Sequence, residues 1–449
     1  MRATVVGGGL AGISAALRIA DAGWQVTLRE ARPRLGGLTY SFQRTVAGQD
    51  LWIDNGQHVF LRCCTAYTGL LDRLGVTDQV ELQPRLDVTV RSEASTRVGR
   101  LRRGALPPPL HLGGALAGYP WLGLAAKARL LPAVVALGRV DREAPATDRD
   151  SFGAWLRAHR QGPRAIEALW DLIGVATLNA TAERASLALA ATVFQLGLLD
   201  RADASDIGWS RVPLQQLHGD AALRALTKAG VEVRTGDKVS TLEEIGTDAV
   251  ILAVPPDQAR RLLPPSSLDL PDGWVEGLGS APILNLHLVY DRVVLEEPFV
   301  AAVDSPLQWV FDRTGHSGLA ATTAELVEAP RGPRQYVAVS LSAAQAYVDL
   351  PVAELRARFV PHLEALLPRA RQATLLDFFV TRERHATFDP TPGTARFRPT
   401  ARTRQPGLYV AGAWTATGWP ATMEGAVRSG EAAATAVLQD QPSRLEVVA

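Results

Sequence analysis

Short apolar runs alternate with glycine-rich turns and amphipathic stretches along this chain, and their order predicts an α/β protein. Near the N-terminus, "ATVV" has the pattern of a short buried strand, and "LAGISAALRIADAG" continues as a helix that ends at Gly23. The stretch "WQVTLRE" follows as a second strand, which ends at Glu30. This strand–helix–strand order is typical of a parallel sheet with helices packed against it.

The middle of the chain changes from helical to strand periodicity. Residues from about 101 to 201 are rich in Leu and Ala, and stretches such as "PRAIEALWDLIGVATLN" have apolar positions at helical spacing. Residues 281–350 have the pattern of strands, among them "APILNLHLVYD" and "RQYVAVSLS". An amphipathic helix, "VAELRARFVPHLEALLP", and a further strand, "ATLLDFFVTRER", come next. With 449 residues, the chain is long enough for two lobes.

A glycine motif directly follows the first predicted strand. Gly7, Gly9 and Gly12 fit G-x-G-x-x-G, and Glu30 lies about 20 residues further on. Gly7 allows a tight turn, Gly9 lets a pyrophosphate approach the backbone, and Gly12 allows close packing of helix and strand. The helix N-terminus offers amide donors, and Glu30 can accept hydrogen bonds from ribose hydroxyls. Because strand, loop, helix, strand and acid occur in order, the sequence predicts a dinucleotide site.

Composition narrows the class of protein and its surroundings. Hydrophobic residues make up 47% and charged residues 21% of the chain, as in an ordinary globular protein. A net charge of +1 gives no reason to expect a nucleic-acid partner. Cys63 and Cys64 are adjacent and are expected to be small, reduced and buried, which indicates a reducing compartment such as the cytoplasm. Arg18 and Asp21 interrupt the apolar N-terminus, so a signal peptide is not predicted.

Three separated segments resemble the FAD-dependent amine oxidase and carotenoid desaturase superfamily. They are "EARPRLGG", "KVSTLEEIGTDAVILAVPP" and "GLYVAGAWTATGWPATMEGAVRSGEAAATAVL". The resemblance implies an α/β fold in which a Rossmann-like, glutathione-reductase-like FAD domain is interleaved with an amine-oxidase-like substrate domain of a sheet and helices. The implied division is FAD segments at 1–100, 206–280 and 386–449, a helical region at 101–205 and a substrate sheet at 281–385.

The same resemblance assigns the residues that would hold FAD without a covalent bond. Val239 would contact the adenine through its backbone, Gly412 would let the pyrophosphate approach, and the helix that starts near Thr422 would face the flavin ring. The turn that contains His58 would lie beside this ring. The implied contacts are Gly7, Gly9, Leu10, Ala11, Gly12, Glu30, Ala31, Arg32, Gly36, Gly37, Leu38, Gly56, Gln57, His58, Val239, Gly412, Ala413, Thr422, Met423 and Ala426.

Amine oxidation fits this sequence poorly. Amine oxidases of the superfamily usually have Arg after the paired glycines, whereas Leu38 follows Gly36 and Gly37 here. They also commonly keep a lysine in the substrate sheet, and this chain has no lysine after Lys238. Some members attach the flavin through a cysteine near the C-terminal motif, but both cysteines here are far from it in sequence.

Four stretches narrow the resemblance to the hydroxysqualene dehydroxylase family of hopanoid pathways. They are "DNGQHVFLRCCTAYTGLLDRLGV", "LIGVATLNATAERASLALAA", "WVFDRTG" and "GAWTATGWPATMEGAVRSGEAAA", of which "DNGQH" and "WVFDRTG" are the specific pieces. The family implies reductive removal of the hydroxyl from hydroxysqualene in squalene biosynthesis, with reduced FAD as the hydride source. A carotenoid-type desaturase or isomerase is the alternative enzyme. A prenyl-binding escort protein is the non-enzymatic alternative, against which the complete glycine motif argues.

Removal of an allylic hydroxyl needs a proton donor, an apolar tunnel and π-faces that stabilise positive charge. His58 is the first candidate for the donor because imidazole titrates in the useful range, although it could instead hold backbone or flavin oxygen. Asp312 is a weaker candidate, since Asp before Gly in a turn usually stabilises the turn. Asp54 is expected to bond its own backbone.

No second His or Cys lies at ligand spacing from His58, so no metal site is predicted. Candidates for the π-faces, each of which could serve in packing instead, are Trp309, Trp414 and Trp419.

An uncharged run at 104–126 comes nearest to a membrane-spanning segment, but its Pro and Gly content is too high for a stable spanning helix. With the residues that follow, it combines apolar bulk with Trp121, Lys127 and Arg129. One interpretation is a peripheral contact of about 104–137 with the inner face of the membrane, at the mouth of a tunnel for an apolar isoprenoid. The other is a set of core helices joined by turns. No motif indicates the physiological reductant.

Overall fold

Two sheets and a layer of helices organise the chain in the computed structural model, which describes residues 1–46, 48–319 and 333–440. The end of the third predicted FAD segment, 441–449, lies outside the described residues. The strands are β1 Arg2–Val6, β2 Gln25–Glu30, β3 Ser41–Val46, β4 Gln49–Asp54, β5 Val59–Leu61, β6 Val80–Leu82, β7 Asp87–Ser92, β8 Ser95–Arg102, β9 Ile207–Ser210, β10 Glu232–Thr235, β11 Ala249–Leu252, β12 Ala281–Tyr290, β13 Phe299–Val303, β14 Trp309–Asp312, β15 Gln335–Leu341, β16 Leu375–Thr387 and β17 Leu408–Val410.

The helices lie between these strands in the chain. The α-helices are α1 Leu10–Asp21, α2 Thr65–Leu74, α3 Gly113–Gly118, α4 Leu124–Leu137, α5 Phe152–Ala158, α6 Pro163–Ala165, α7 Asp171–Leu178, α8 Leu187–Phe194, α9 Ala221–Lys228, α10 Pro256–Leu262, α11 Trp274–Leu278, α12 Thr314–Ser317, α13 Val352–Leu366 and α14 Met423–Asp440. Turns of π-helix at Ile166–Trp170, Gln195–Leu199 and Gln215–Asp220 adjoin α7, α8 and α9.

The first sheet is parallel and has the strand order β10-β2-β1-β11-β17. Its strands come from all three predicted FAD segments, as the interleaved fold requires. Helices α1 and α14 pack closely beside this sheet. Gly430 permits this approach, since a Cβ there would lie 2.1 Å from the carbonyl oxygen of Ala11. The two ends of the chain therefore meet in one domain.

The second sheet has the order β16-β12-β15-β14-β13-β7-β8, and two smaller sheets are formed by β3-β4 and by β5-β9-β6. The second sheet is antiparallel except where β13 runs parallel to β7. On β13, Val300 and Ala302 pack toward α13, while Phe299 and Ala301 pack toward the helical layer. The predicted boundary of the first FAD segment at residue 100 is wrong, because β7 and β8 belong to this second sheet.

The predicted helical region at 101–205 forms the layer from α3 to α8. Its apolar side chains share one core with β7, β8 and the facing side of β13. In the described part of the chain, no helix is both long enough and apolar enough to cross a membrane. The predicted fold class is confirmed.

Candidate functional site

A cavity of about 1200 Å³ is lined by residues of both sheets and of the helical layer. The loop after β1 forms one part of its wall, and the turn "DNGQH" after β4 forms another. The helical layer contributes mainly apolar side chains, among them Leu112, Leu116, Val134, Leu137, Leu169, Leu172 and Ile173. The cavity thus has one region lined by backbone and another lined by apolar side chains.

The loop after β1 presents backbone to the cavity. Gly7 has a φ of 110°, and a Cβ there would lie 2.2 Å from the carbonyl oxygen of Ala253. A Cβ on Gly12 would lie 1.9 Å from the carbonyl oxygen of Gly7, so Gly12 allows α1 to pack against the loop. At Gly9, the nearest atom to such a Cβ would be the Cα of Gly37, 3.7 Å away. Gly9 therefore leaves its side of the loop open to the cavity.

The loop "ARPRLGG" folds against the first glycine loop. The Gly36 amide donates to the carbonyl oxygen of Gly8 at 2.9 Å, and Gly36 and Gly37 have φ values of 103° and 60°. The Glu30 carboxylate accepts hydrogen bonds from the amides of Gly8 at 2.6 Å and Arg32 at 2.8 Å. These bonds fix the acid on the cavity wall, where it retains lone pairs for a ligand.

The segment after β17 brings the N-terminus of α14 to the cavity. Gly412 has a φ of 142°, and a Cβ there would lie 2.4 Å from Nε1 of Trp414. Trp414 donates this N–H to the carbonyl oxygen of Val254 at 3.0 Å. Its ring stacks on Trp274 with centroids 5.3 Å apart. Trp414 therefore packs beneath the segment that follows β17, and part of the Trp414 side chain reaches the cavity wall.

Glu424 ties α14 to α2, a role that the sequence analysis missed. This side chain is 1% exposed. Its carboxylate accepts hydrogen bonds from the amides of Ala66 at 3.2 Å and Tyr67 at 2.7 Å, and from Nε of Arg428 at 2.6 Å. Glu424 thus satisfies free amides in the first turn of α2. An acid in the first turn of a predicted helix was visible in the sequence, but its distant partner was not.

The cofactor contacts implied by the resemblance come together in space. All of them except Gly12 lie on the cavity wall. Gly12 lies behind the loop, in the packing role that the glycine motif predicts for it. Residues from three distant parts of the chain therefore surround one continuous space.

A buried ion pair joins the two stretches that are specific to the resemblance. Arg313 of "WVFDRTG" pairs with Asp54 of "DNGQH", and their side chains are 8% and 5% exposed. The other carboxylate oxygen of Asp54 accepts hydrogen bonds from the Ser41 hydroxyl and from the Leu214 amide, the latter at 3.0 Å. The expectation that Asp54 bonds its own backbone is wrong, because its carboxylate links the turn to three other parts of the chain.

His58 lies on the cavity wall beside Gly56, where its side chain is half-buried. Desolvation lowers the pKa of His58 to about 4; Asp54 and the Leu38 carbonyl oppose this lowering, and Arg313 adds to it. The imidazole is therefore neutral near pH 7 and offers one N–H donor. Only a small fraction of molecules carries the imidazolium at that pH, and this form is a stronger acid than an exposed imidazolium.

Two amide side chains near His58 have unpaired polar atoms. Neither Nε2 nor Oε1 of Gln57 has a hydrogen-bond partner among the described residues, and both atoms are buried. Asn285 of β12 donates from Nδ2 to the carbonyl oxygen of Asn55 at 3.2 Å, while its Oδ1 has no partner within the same residues. Both side chains line the cavity. Because an unpaired buried amide is unfavourable, this region is suited to a polar ligand group.

The structure contradicts Asp312 as a proton donor. One carboxylate oxygen accepts hydrogen bonds from the Thr314 amide at 2.9 Å and hydroxyl at 2.6 Å. The other accepts from Nε2 of Gln335 at 3.0 Å. Asp312 is not among the residues that line the cavity. Its carboxylate stabilises the turn into α12.

Trp309 and Trp419 both line the cavity. Trp309 lies beside Phe299 and Phe311, with ring centroids 6.0 Å and 6.4 Å away, so these rings form an aromatic wall. Trp419 has the Arg428 guanidinium over its ring at 5.1 Å. Of the three tryptophans, Trp309 has the surroundings best suited to a cationic carbon.

Cys63 and Cys64 are free thiols that line the cavity. Both are only half-buried, so the expectation that both are buried is wrong. The Cys63 thiol, burial and the Glu424 carboxylate raise the pKa of the Cys64 thiol. The C-terminal segment that contains Glu424 is therefore near Cys64 in space, although it is distant from Cys64 in sequence. Within the described ranges, no group of three or more His, Cys, Asp or Glu side chains is placed to hold a metal ion.

The segment 104–137 forms both cavity wall and protein surface. Trp121 is only 9% exposed and packs edge-on against Tyr119, with centroids 5.1 Å apart. It also fills the space over Gly99, so Trp121 itself has the packing role of the second interpretation of this segment. Five outward side chains form what we call the apolar outer face: Leu106, Leu110, Leu124, Leu131 and Val135, which are 58%, 48%, 86%, 48% and 38% exposed.

Comparison with known proteins gives consistent results. A sequence model for flavin containing amine oxidoreductases matches residues 10–438. Hydroxysqualene dehydroxylase of Rhodopseudomonas palustris is 29% identical over 97% of this chain and 97% of that protein. The 15-cis-phytoene desaturase of Synechococcus elongatus is 23% identical over 98% of this chain and 96% of its own length. A triple mutant of putrescine oxidase has a similar fold, with a TM-score of 0.68 and 19% identity over 98% of this chain and 99% of that one.

Proposed function

The chain belongs to the flavin containing amine oxidoreductase family, and we propose that it removes the hydroxyl group of hydroxysqualene reductively, which gives squalene and water. The observation that carries this proposal is the cavity, whose wall includes the glycine loop, unpaired amides and the apolar helical layer. A cofactor, a hydroxyl group and a long hydrocarbon need these three kinds of surface. The similarity to hydroxysqualene dehydroxylase over 97% of the chain supports the same reaction.

We propose FAD as the cofactor, held without a covalent bond. The open side of Gly9 and the carboxylate of Glu30 fit a pyrophosphate and a ribose. The unpaired amide of Gln57, which offers both a donor and an acceptor, fits a ring edge that carries both kinds of group. The raised pKa of the Cys64 thiol keeps this thiol protonated, whereas a hydrogen bond from Cys64 lowers the pKa of the Cys63 thiol. When bound and reduced, FAD supplies the hydride.

The protein's own residues prepare the alcohol for this hydride. Hydroxide is a poor leaving group, so the C–O bond breaks only as the oxygen takes a proton and departs as water. The carbon that it leaves carries positive charge, which the aromatic wall at Trp309 stabilises. The apolar side chains of the helical layer exclude other water from this carbon. One proton and one hydride thus convert the alcohol into hydrocarbon and water.

We propose His58 as the proton donor, with a characteristic pH dependence. Because the pKa of His58 is about 4, the protonated fraction rises about tenfold for each unit by which the pH falls from 8 to 5. The single-turnover rate of dehydroxylation should rise by the same factor. His58→Gln should keep FAD but lose this slope, whereas His362→Gln, at a surface ion pair, should keep it. A pH-independent wild-type rate would rule out His58 as the donor.

A second candidate function is desaturation of an apolar isoprenoid, which the similarity to 15-cis-phytoene desaturase supports. The two reactions move electrons in opposite directions. Oxidised enzyme should be incubated with phytoene and photoreduced enzyme with hydroxysqualene, and the products compared. The proposal expects squalene from the second mixture and unchanged phytoene in the first. A desaturated carotenoid from the first mixture, without squalene from the second, would favour the alternative.

We further propose that residues 104–137 contact the inner face of the membrane from the cytoplasmic side. The apolar outer face supplies hydrophobic contact, and the same segment lines the cavity with its inner side chains. Between residues 94 and 140 the chain has no acidic residue, which favours an anionic lipid surface. The basic residues there that form no ion pair with another described residue are Arg97, Lys127, Arg129 and Arg139, whereas Arg100, Arg102 and Arg103 pair with Asp87 or Asp206.

The double variant Leu131→Asp/Val135→Asp should weaken binding to vesicles of phosphatidylglycerol and phosphatidylcholine at least about tenfold, because it replaces apolar contact by negative charge. Co-flotation of the holoenzyme with the vesicles measures this. Leu223→Asp/Val352→Asp is a matched control, since these side chains are 46% and 41% exposed but lie elsewhere in the sequence. Equal loss in both double variants, or no vesicle binding by the wild type, would contradict the contact.

A further inference from the structure

A row of side chains crosses the second sheet beneath the "DNGQH" turn. Strand register pairs Thr381 with Asn285, Asn285 with Ser340, and Ser340 with Trp309. Directly paired residues on antiparallel strands share one face of a sheet, about 5 Å apart. Asn285, Ser340 and Trp309 all line the cavity. Two polar groups therefore lie next to the aromatic wall, in regular order.

The amide of Asn285 has a fixed orientation. Its Nδ2 donates to the carbonyl oxygen of Asn55, and the Thr381 hydroxyl donates to the same oxygen at 2.8 Å. Rotating the amide by half a turn would place two oxygens against each other, so the nitrogen must face the turn. The side chain is 0% exposed, and Oδ1 remains without a partner in the described structure.

The unpaired oxygen lies where a small polar ligand group would be stabilised. Ile283, two residues earlier on β12, and Trp309, across the row, give this part of the cavity apolar walls. Ser340 adds a hydroxyl beside Asn285 on the neighbouring strand. An alcohol needs an acceptor for its hydrogen and a donor for its oxygen, and these two side chains offer both.

We infer that Asn285 and Ser340 bind the hydroxyl group of the substrate, an inference that rests on the proposed function. Asn285 Oδ1 accepts the O–H of the alcohol, and the Ser340 hydroxyl donates to its oxygen. Trp309, next in the row, then lies beside the carbon that loses this oxygen. His58 is close by, since its Nε2 and Asn285 Nδ2 lie 3.4 Å and 3.5 Å from the same point, the Cβ position of Gly56. His58 and the Asn285 amide therefore lie on the same part of the cavity wall.

The inference predicts a preference for alcohol over hydrocarbon that depends on Asn285. Oxidised holoenzyme, which cannot reduce the alcohol, should be titrated with hydroxysqualene and with squalene while flavin absorbance is followed. Wild type should bind hydroxysqualene about tenfold more tightly, the size expected for hydrogen bonds to a buried amide. Asn285→Leu, of similar volume, should bind both ligands equally.

The outcomes separate this inference from the proposed reaction. An undiminished preference in Asn285→Leu, or no preference in the wild type, overturns the hydroxyl site even if photoreduced wild type forms squalene. A preference that disappears in Asn285→Leu supports the site even if no squalene forms. Should Asn285→Leu fail to hold FAD, Ser340→Ala decides instead, since it removes one oxygen atom. It should reduce the preference about threefold, and an unchanged preference overturns the inference.

Discussion

Gly9→Val is expected to abolish FAD binding without unfolding the protein, whereas Gly12→Val is expected to unfold it. Gly9 has φ −78° and ψ 176°, a conformation that any residue adopts, and its added side chain would enter the cavity. At Gly12 the new Cβ would lie 1.9 Å from the carbonyl oxygen of Gly7, so α1 could not pack on the loop. The two glycines of one motif therefore have separable roles.

Both effects should be large. Gly9→Val should weaken FAD binding more than about 100-fold, or about 3 kcal/mol, while circular dichroism and thermal unfolding of the apoprotein stay near those of the wild type. Gly12→Val should destabilise the apoprotein by more than about 4 kcal/mol. Reconstitution with FAD, followed by flavin absorbance, measures the first effect, and urea unfolding measures the second. If Gly9→Val bound FAD as the wild type does, the pyrophosphate would not lie at this loop.

Arg313→Met is the second variant with a large expected effect. It would leave the Asp54 carboxylate buried without its cation, which should lower the free energy of unfolding by about 3–5 kcal/mol. Asp54→Asn/Arg313→Met should lose less, because the neutral amide needs no counter-charge and can still accept from the Leu214 amide. Urea unfolding of both variants gives the comparison.

A surface ion pair provides the control for this measurement. Arg100 pairs with Asp87 at 2.6 Å, but its side chain is 60% exposed. Arg100→Met should therefore change the free energy of unfolding by no more than about 1 kcal/mol. Equal effects of Arg313→Met and Arg100→Met would contradict the account of the "DNGQH" turn as a part of the site that depends on a buried ion pair.

Local patterns in the sequence were sufficient to predict the dinucleotide motif, whereas the other two segments of the cofactor domain were predicted from the resemblance. The turn, helix and acid around Gly7 and Glu30 lie within thirty residues, so their spacing alone indicates their geometry. The contacts that complete the site join residues far apart in the chain. Asp54 meets Arg313, and Asn285 meets Asn55, only because strands from different segments adopt one particular register. A single sequence carries no direct sign of that register.

Residue type alone also gave wrong predictions, because the same residue can serve at a functional site or in packing. A Trp near basic residues is typical of a membrane surface, yet Trp121 is buried because Gly99 leaves room for its ring. An Asp before a turn resembles an acid at a site, yet Thr314 and Gln335 occupy both oxygens of Asp312. Only the positions of these neighbours distinguish the two roles.

Anaerobic single turnover measures the proposed dehydroxylation itself. Enzyme reconstituted with FAD is photoreduced, mixed with hydroxysqualene in the absence of other reductants, and analysed by mass spectrometry and flavin absorbance. We expect one squalene to form for each FAD that is reoxidised. Recovery of unchanged hydroxysqualene, with the flavin still reduced, would contradict the proposed reaction.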